Sequence, residues 1–176
     1  MMIFSSIKGA AIECVAGKKK IVFFPQDKAP SADLVFLSAP QEVPEEGKIS
    51  WPGEYDIEGI AIHGIAHNDG AQVSYVIEYE GTRSAFLSSP LHDWTDLELE
   101  KLGNIDVLVV PSDDAKIVQK LVDEVDPRVL FPIETDAKEY QEVLKIVGAK
   151  DAEAVDEYKV KGLPSEGREV VLLKTK

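Results

Sequence analysis

Ser50-Trp51-Pro52-Gly53-Glu54-Tyr55-Asp56-Ile57-Glu58-Gly59-Ile60-Ala61-Ile62-His63-Gly64-Ile65 is the stretch on which the reading of the fold turns. Trp-Pro-Gly is turn composition, because proline fixes one backbone dihedral and glycine frees the next. Tyr55 to Ile65 then alternates as a strand, with Gly53 supplying freedom at the turn and Gly59 a bend or bulge. The segment is expected to be a turn followed by one strand.

Strand patterns extend on both sides of it. Upstream, residues 2–6, 9–16 and 19–24 are short apolar or alternating runs, and Gly17-Lys18 reads as a hairpin turn between the last two. Ala32-Asp33-Leu34-Val35-Phe36-Leu37-Ser38 is a largely apolar run bounded by prolines, as for a strand buried on both faces. Residues 39–50 carry Pro40, Pro44, Gly47 and the acidic Glu42, Glu45 and Glu46, which is loop chemistry. Downstream, Asn68-Asp69-Gly70 is a turn, and residues 72–79 and 82–88 pair as a hairpin across Glu80-Gly81.

The period then changes. Residues 105–110 form an apolar strand closed by Pro111, and Ser112 is placed to cap a helix with apolar Ile117, Val118, Leu121, Val122 and Val125. Residues 128–131 read as another buried strand. Asp136 with Glu139 forms a capping-box-like pair ahead of Tyr140, Val143, Leu144 and Val147, and Gly148 ends that helix. Short strands near 157–161 and 168–174 follow. Strands first and strand-helix-strand-helix afterwards, within 176 residues, predict one domain (1–176) of two packed sheets flanked by helices.

Charge and cysteine usage exclude several function classes. Thirty-two acidic against 19 basic residues leave a net charge of −13, which repels phosphate backbones and argues against nucleic acid as a partner. The lone Cys14 can form neither an internal disulfide nor a cysteine metal site, and its strand-like setting marks it as a buried, inert thiol. No apolar run reaches the ~18 residues that span a bilayer, and no signal segment is visible, so a cytoplasmic protein is expected.

The Pro-Gly-Glu-Tyr core of the opening stretch, with its strand closed by Gly64-Ile65, resembles a segment of the small metallo-β-lactamase-fold hydrolases, which hold one or two zinc ions with His and Asp. The resemblance covers most of the chain and implies an α/β (α+β) fold, an αββα sandwich in trimmed form. Gly9-Ala10-Ala11 looks like the family's Gly-His-Ser without its His and Ser. Phe24, in Val22-Phe23-Phe24-Pro25, stands at the place of an aspartate. The strand 32–38 looks like the one that delivers His-x-His-x-Asp-His, but those positions read Ala39, Gln41, Val43 and Pro44. His67 matches a third-motif histidine, Leu87-Ser88-Ser89 stands where Leu-Gly-Asp would, and Glu134 replaces the histidine of Pro-x-His.

Catalytic zinc takes three protein ligands and structural zinc four, and the matched positions keep only His67 and Glu134. The resemblance therefore implies a zinc-dependent ancestry with the metal ligands gone, no cofactor and no catalytic residues. His67, Ser89, His92 and Glu134 are the residues expected around the vestigial pocket, with His67 and Glu134 at its rim. Phe24, Val43, Pro44 and Ile133 are bulky or apolar enough to collapse into it. The leading expectation is an inactive binding or scaffold protein, acting through the pocket, as a homo-oligomer, or paired with an active relative. The alternative is a metal-dependent hydrolase with an unconventional site of His67, His92 and Glu134. Ser88 and Ser89 near His92 lack any Gly-x-Ser-x-Gly elbow and read as loop composition, and Trp51 and Trp94 read as packing anchors flanking the rim.

Overall fold

The alternating runs of the first 86 residues become nine strands: β1 (Met2–Ser6), β2 (Ile12–Ala16), β3 (Lys19–Phe23), β4 (Leu34–Phe36), β5 (Lys48–Ile49), β6 (Gly53–Ile57), β7 (Ile60–His67), β8 (Gln72–Tyr79) and β9 (Thr82–Phe86). α1 (Asp96–Leu102), β10 (Val107–Pro111), α2 (Ala115–Val125), β11 (Val129–Ile133), α3 (Tyr140–Ile146), β12 (Tyr158–Val160) and β13 (Glu169–Val170) follow. The structure is a computed structural model and describes residues 1–176. Sheet one runs β12-β1-β2-β3-β4-β5, and sheet two runs β13-β11-β10-β9-β8-β7-β6. None of the three helices is long and apolar enough to cross a membrane.

Alternation sorts each strand's side chains between two layers. Phe4, Ile12, Cys14, Ile21, Phe23 and Phe36 of sheet one meet Ile62, Tyr75, Phe86, Val109 and Phe131 of sheet two in one core cluster. Its centre is aromatic: the rings of Phe23 and Phe86 stack at 3.7 Å between centroids, and Phe4 stacks on Phe131 at 4.9 Å. Residues of opposite parity on sheet two, among them Ile65, Val76, Ala85, Leu108 and Leu130, pack against Leu102, Val118, Leu121, Val122 and Val143 of the helices. All three helices thus cover the far face of sheet two. The far face of sheet one has no helix, and a 2.8 Å ion pair between Lys20 and Glu13 lies there instead. That is the form the trimming takes: two sheets and one helical layer.

The deciding stretch differs from expectation at one point. It is two strands, because Ile57 pairs with Ile60 and leaves Glu58 (φ 52°) and Gly59 (φ 82°) as a two-residue turn. Positive φ at both positions gives the turn whose twist matches a right-handed hairpin. The β8–β9 hairpin uses the same chemistry at Glu80 (φ 50°) and Gly81 (φ 78°). Two elements escaped the sequence reading: the two-residue β5 and helix α1. Thr95 and Glu98 close a reciprocal capping box at the start of α1.

Both expected helix caps are corrected. Asp114 caps α2, its carboxylate accepting from the amides of Lys116 and Ile117 at 3.0 Å each. Ser112 remains at the end of β10, where its amide donates to the Ile133 carbonyl and its hydroxyl is buried. Helix α3 begins only at Tyr140 and has no side-chain cap, so Asp136 and Glu139 do not form the box.

Tyr75 ties the two sheets together near one end of the sandwich. From β8 its hydroxyl donates to the Leu37 carbonyl at 2.7 Å and lies 3.1 Å from that of Ile49. Tyr75→Phe is expected to lower stability by about 1–2 kcal/mol, because it strands a part-buried acceptor while leaving the ring's packing in place. Urea denaturation measures this, and an unchanged midpoint would show that the tether contributes nothing.

Candidate functional site

The mouth between the sheets sits where β3, β4, β9, β10 and β11 end. A cavity of about 220 Å³ opens there, lined chiefly by Ile12, Phe23, Phe24, Phe86, Val109 and Ile133, with Ser38, Ser89 and Gln26 supplying polar groups. Phe24 and Ile133 collapse into the mouth as expected. Val43 and Pro44 do not: Val43 is 75% exposed, and the loop that carries both turns outward. That loop is held through Gln41 instead. The Gln41 amide nitrogen donates to Ser50, its side chain to Glu45, and its carbonyl accepts from the Trp51 indole at 2.9 Å.

Phe24 occupies a left-handed backbone conformation with φ 54°. A bulky L-residue pays on the order of 1–2 kcal/mol there, and such strain persists only where the surroundings impose it. The Phe24 amide donates to the Phe36 carbonyl at 2.8 Å, which continues the pairing of β3 with β4 up to this residue.

Ser89 borders the cavity, and its hydroxyl donates to Asp113 Oδ2 at 2.7 Å. The same carboxylate oxygen accepts from the Leu91 amide at 2.7 Å, so Asp113 pins the loop that follows β9. Gln72 anchors that loop from the other side by donating to the Pro90 carbonyl at 2.9 Å.

His67 is not at the rim. β7 extends to residue 67, so His67 shares the parity of Ile65 and faces the helical layer, only 2% exposed. Its Nε2 lies 2.8 Å from the Ser74 hydroxyl and 3.5 Å from that of Ser88, and its Nδ1 is buried without a partner. The ring packs on Trp94 at 4.6 Å and on His92 at 5.2 Å. Burial, reinforced by the nearby His92 and only partly opposed by Glu98, depresses the His67 pKa to about 4. His92 lies 2.9 Å from Glu98. Burial pushes the Glu98 carboxyl up, but the Thr95 amide and the His92 imidazole outweigh it and hold it below the usual carboxylate range.

The structure thus joins His67 to His92 and places Ser89 at the cavity, while Glu134 stands apart, exposed just beyond β11. No group of three or more His, Cys, Asp or Glu is placed to hold a metal ion. The mouth residues do not fit a zinc ion, since Phe24 and Ile133 offer no donor atom and Ser89 is committed to Asp113. Ser88 and Ser74, the hydroxyls nearest a histidine, are 1% and 0% exposed, so neither faces solvent. Trp94 is a buried anchor as expected, whereas Trp51 is half-exposed. Cys14 is fully buried, and desolvation followed by the neighbouring Glu13 charge pushes its thiol pKa up, as for an inert core thiol.

Sequence reasoning missed Asp113, Ser74 and Glu98. Thr95-Asp96-Leu97-Glu98 carried the signal for the last, a capping box ahead of a short amphipathic run.

No family model matches the chain, and no curated protein matches it. Solved structures do. A chain from Thermotoga maritima assigned as a Zn-dependent hydrolase of the metallo-β-lactamase superfamily superposes with a TM-score of 0.82 at 25% identity, covering 100% of each chain. One from Parabacteroides distasonis assigned as a metal-dependent hydrolase reaches 0.67 at 14% identity, covering 98% of this chain and 93% of its own. The metallo-β-lactamase fold protein YhfI from Bacillus subtilis reaches 0.66 at 9%, covering 98% and 96%. Two facing sheets, the end-of-sandwich cavity and these superpositions agree: the chain has the metallo-β-lactamase fold, and no group of side chains placed to hold a metal ion accompanies it.

Proposed function

We propose that this chain is a metal-free, catalytically inactive member of the superfamily, and that it works in the cytoplasm as a binding module through the remodelled cavity at the sandwich mouth. The observation that carries the reading is the cavity's lining. Phe24 stands at the place of a family aspartate and Ile133 beside Glu134, which replaces a family histidine, and both line the cavity with side chains that can bind no ion. Without an ion there is neither a bound water of lowered pKa nor a Lewis acid, so the hydrolytic route of the fold's enzymes has no starting group.

The alternative hydrolase requires His67, His92 and Glu134 to share a point. His67 Nε2 faces Ser74 inside the helical layer, His92 is held by Glu98, and Glu134 is exposed elsewhere. Metal analysis tests the proposal. Purified protein dialysed against zinc or manganese is expected to retain far less than one ion per chain. Retention of one ion per chain, lost on substituting His67 or His92, would overturn it and revive the hydrolase.

A further inference from the structure

We propose that the mouth cavity selects a small neutral or cationic amphiphile: an apolar body with one hydrogen-bond-donating head group, a primary amine above an alcohol, and both above a carboxylate. The inference rests on the binding-module reading and adds the chemistry of the ligand. At about 220 Å³ the cavity holds on the order of seven water-sized volumes, so the occupant has roughly seven to ten non-hydrogen atoms. The walls, Ile12, Phe23, Phe86, Val109 and Ile133, are apolar and reward a hydrocarbon or aromatic body.

Of the polar groups at the mouth, Ser38 and Gln26 can each donate or accept and so favour no head group, which leaves Ser89 as the selective end. A serine hydroxyl has one proton, and here it goes to Asp113 Oδ2. What Ser89 Oγ offers the cavity is therefore lone pairs only, and a ligand must bring the donor. The nearest full charge behind it is the Asp113 carboxylate, which attracts an ammonium and repels an anion. No lysine or arginine lines the cavity to offset that, and the net charge of −13 biases encounter in the same direction. This polarity is opposite to that of a site in which a metal cation receives anionic groups.

Phenethylamine, 2-phenylethanol and phenylacetate share one body and differ only in the head group, so they separate head-group selection from cavity binding. Titrations followed by amide chemical shifts are expected to perturb Ser89, Val109 and Ile133, with the amine and alcohol binding at least roughly tenfold more tightly than phenylacetate. Ser89→Ala should abolish most of that preference while leaving binding of the body. Ile133→Trp should fill the cavity and block all three, with an unchanged fold shown by its amide spectrum. Equal binding of the three probes, or phenylacetate binding best, overturns the head-group inference and leaves the binding-module reading standing. So does a preference that survives Ser89→Ala. Absence of binding by all three, or binding unaffected by Ile133→Trp, overturns both.

Discussion

Phe23→Ala is expected to cost about 3–5 kcal/mol of folding stability, the range for removing a fully buried phenylalanine. Phe23 is completely buried and stacks on Phe86 at 3.7 Å and on Phe36 at 4.9 Å, so one truncation strips contacts from both sheets. Relaxation cannot recover much. The vacated volume would merge with the existing mouth cavity, which Phe23 also lines, and rigid strands bound the space on both sides. A loss of this size is a large share of the ~5–15 kcal/mol typical of a folded domain. Urea denaturation should show a much lower midpoint with an unchanged slope. A loss below about 1.5 kcal/mol would mean that the aromatic stack does not hold the two sheets together.

The second large effect is acid sensitivity traced to one side chain. His67 titrates near pH 4 in the folded chain and near 6.5 when unfolded. Between those values the unfolded chain binds a proton that the folded chain refuses, so stability is full above pH 6.5 and falls as the pH drops toward 4. The slope is about 1.4 kcal/mol per pH unit, giving on the order of 3 kcal/mol across the window. The groups facing the ring are Ser74, Ser88, Trp94, His92 and, behind His92, Glu98. None supplies a carboxylate in direct contact that would welcome the extra charge. Comparing the parent with His67→Gln at pH 7 and pH 4.5 isolates the effect, because the surface carboxylates titrate alike in both. The parent should lose clearly more stability than the variant. Equal losses would show that His67 is hydrated or already charged in the fold.

Most of the architecture was legible because alternation and apolar runs report directly on burial. The β8–β9 hairpin followed from Glu80-Gly81, and β10, α2 and β11 from runs whose period matches their packing. Glu58-Gly59 carries the same dipeptide, yet the apolar residues on both sides of it mask the turn and make one long strand look plausible. β5 has two residues and no pattern of its own; it exists because β4 offers it a parallel partner. The site was less legible, for a reason of parity. Placing His67 two residues beyond the strand put it in a loop, whereas inside β7 its direction is fixed by Ile65, toward the helices. Ser89 was found from the motif it replaces, but its partner Asp113 lies 24 positions away and nothing local announces the contact.

The strand order of sheet one has a kinetic consequence. Five of its six strands come from the first 49 residues, and the sixth, β12, from residues 158–160, which pair with Met2, Ile3 and Phe4. During amino-to-carboxyl synthesis β1 therefore emerges early and waits for its second neighbour until more than 150 further residues have been added. Throughout that interval its outer edge presents unpaired amides and carbonyls, the kind of surface on which chains associate wrongly. Sheet two has no such delay at its antiparallel end, where β6 to β9 are consecutive and close by short turns. Local closure favours early formation there, and the long-range pairing that completes sheet one is the natural late step.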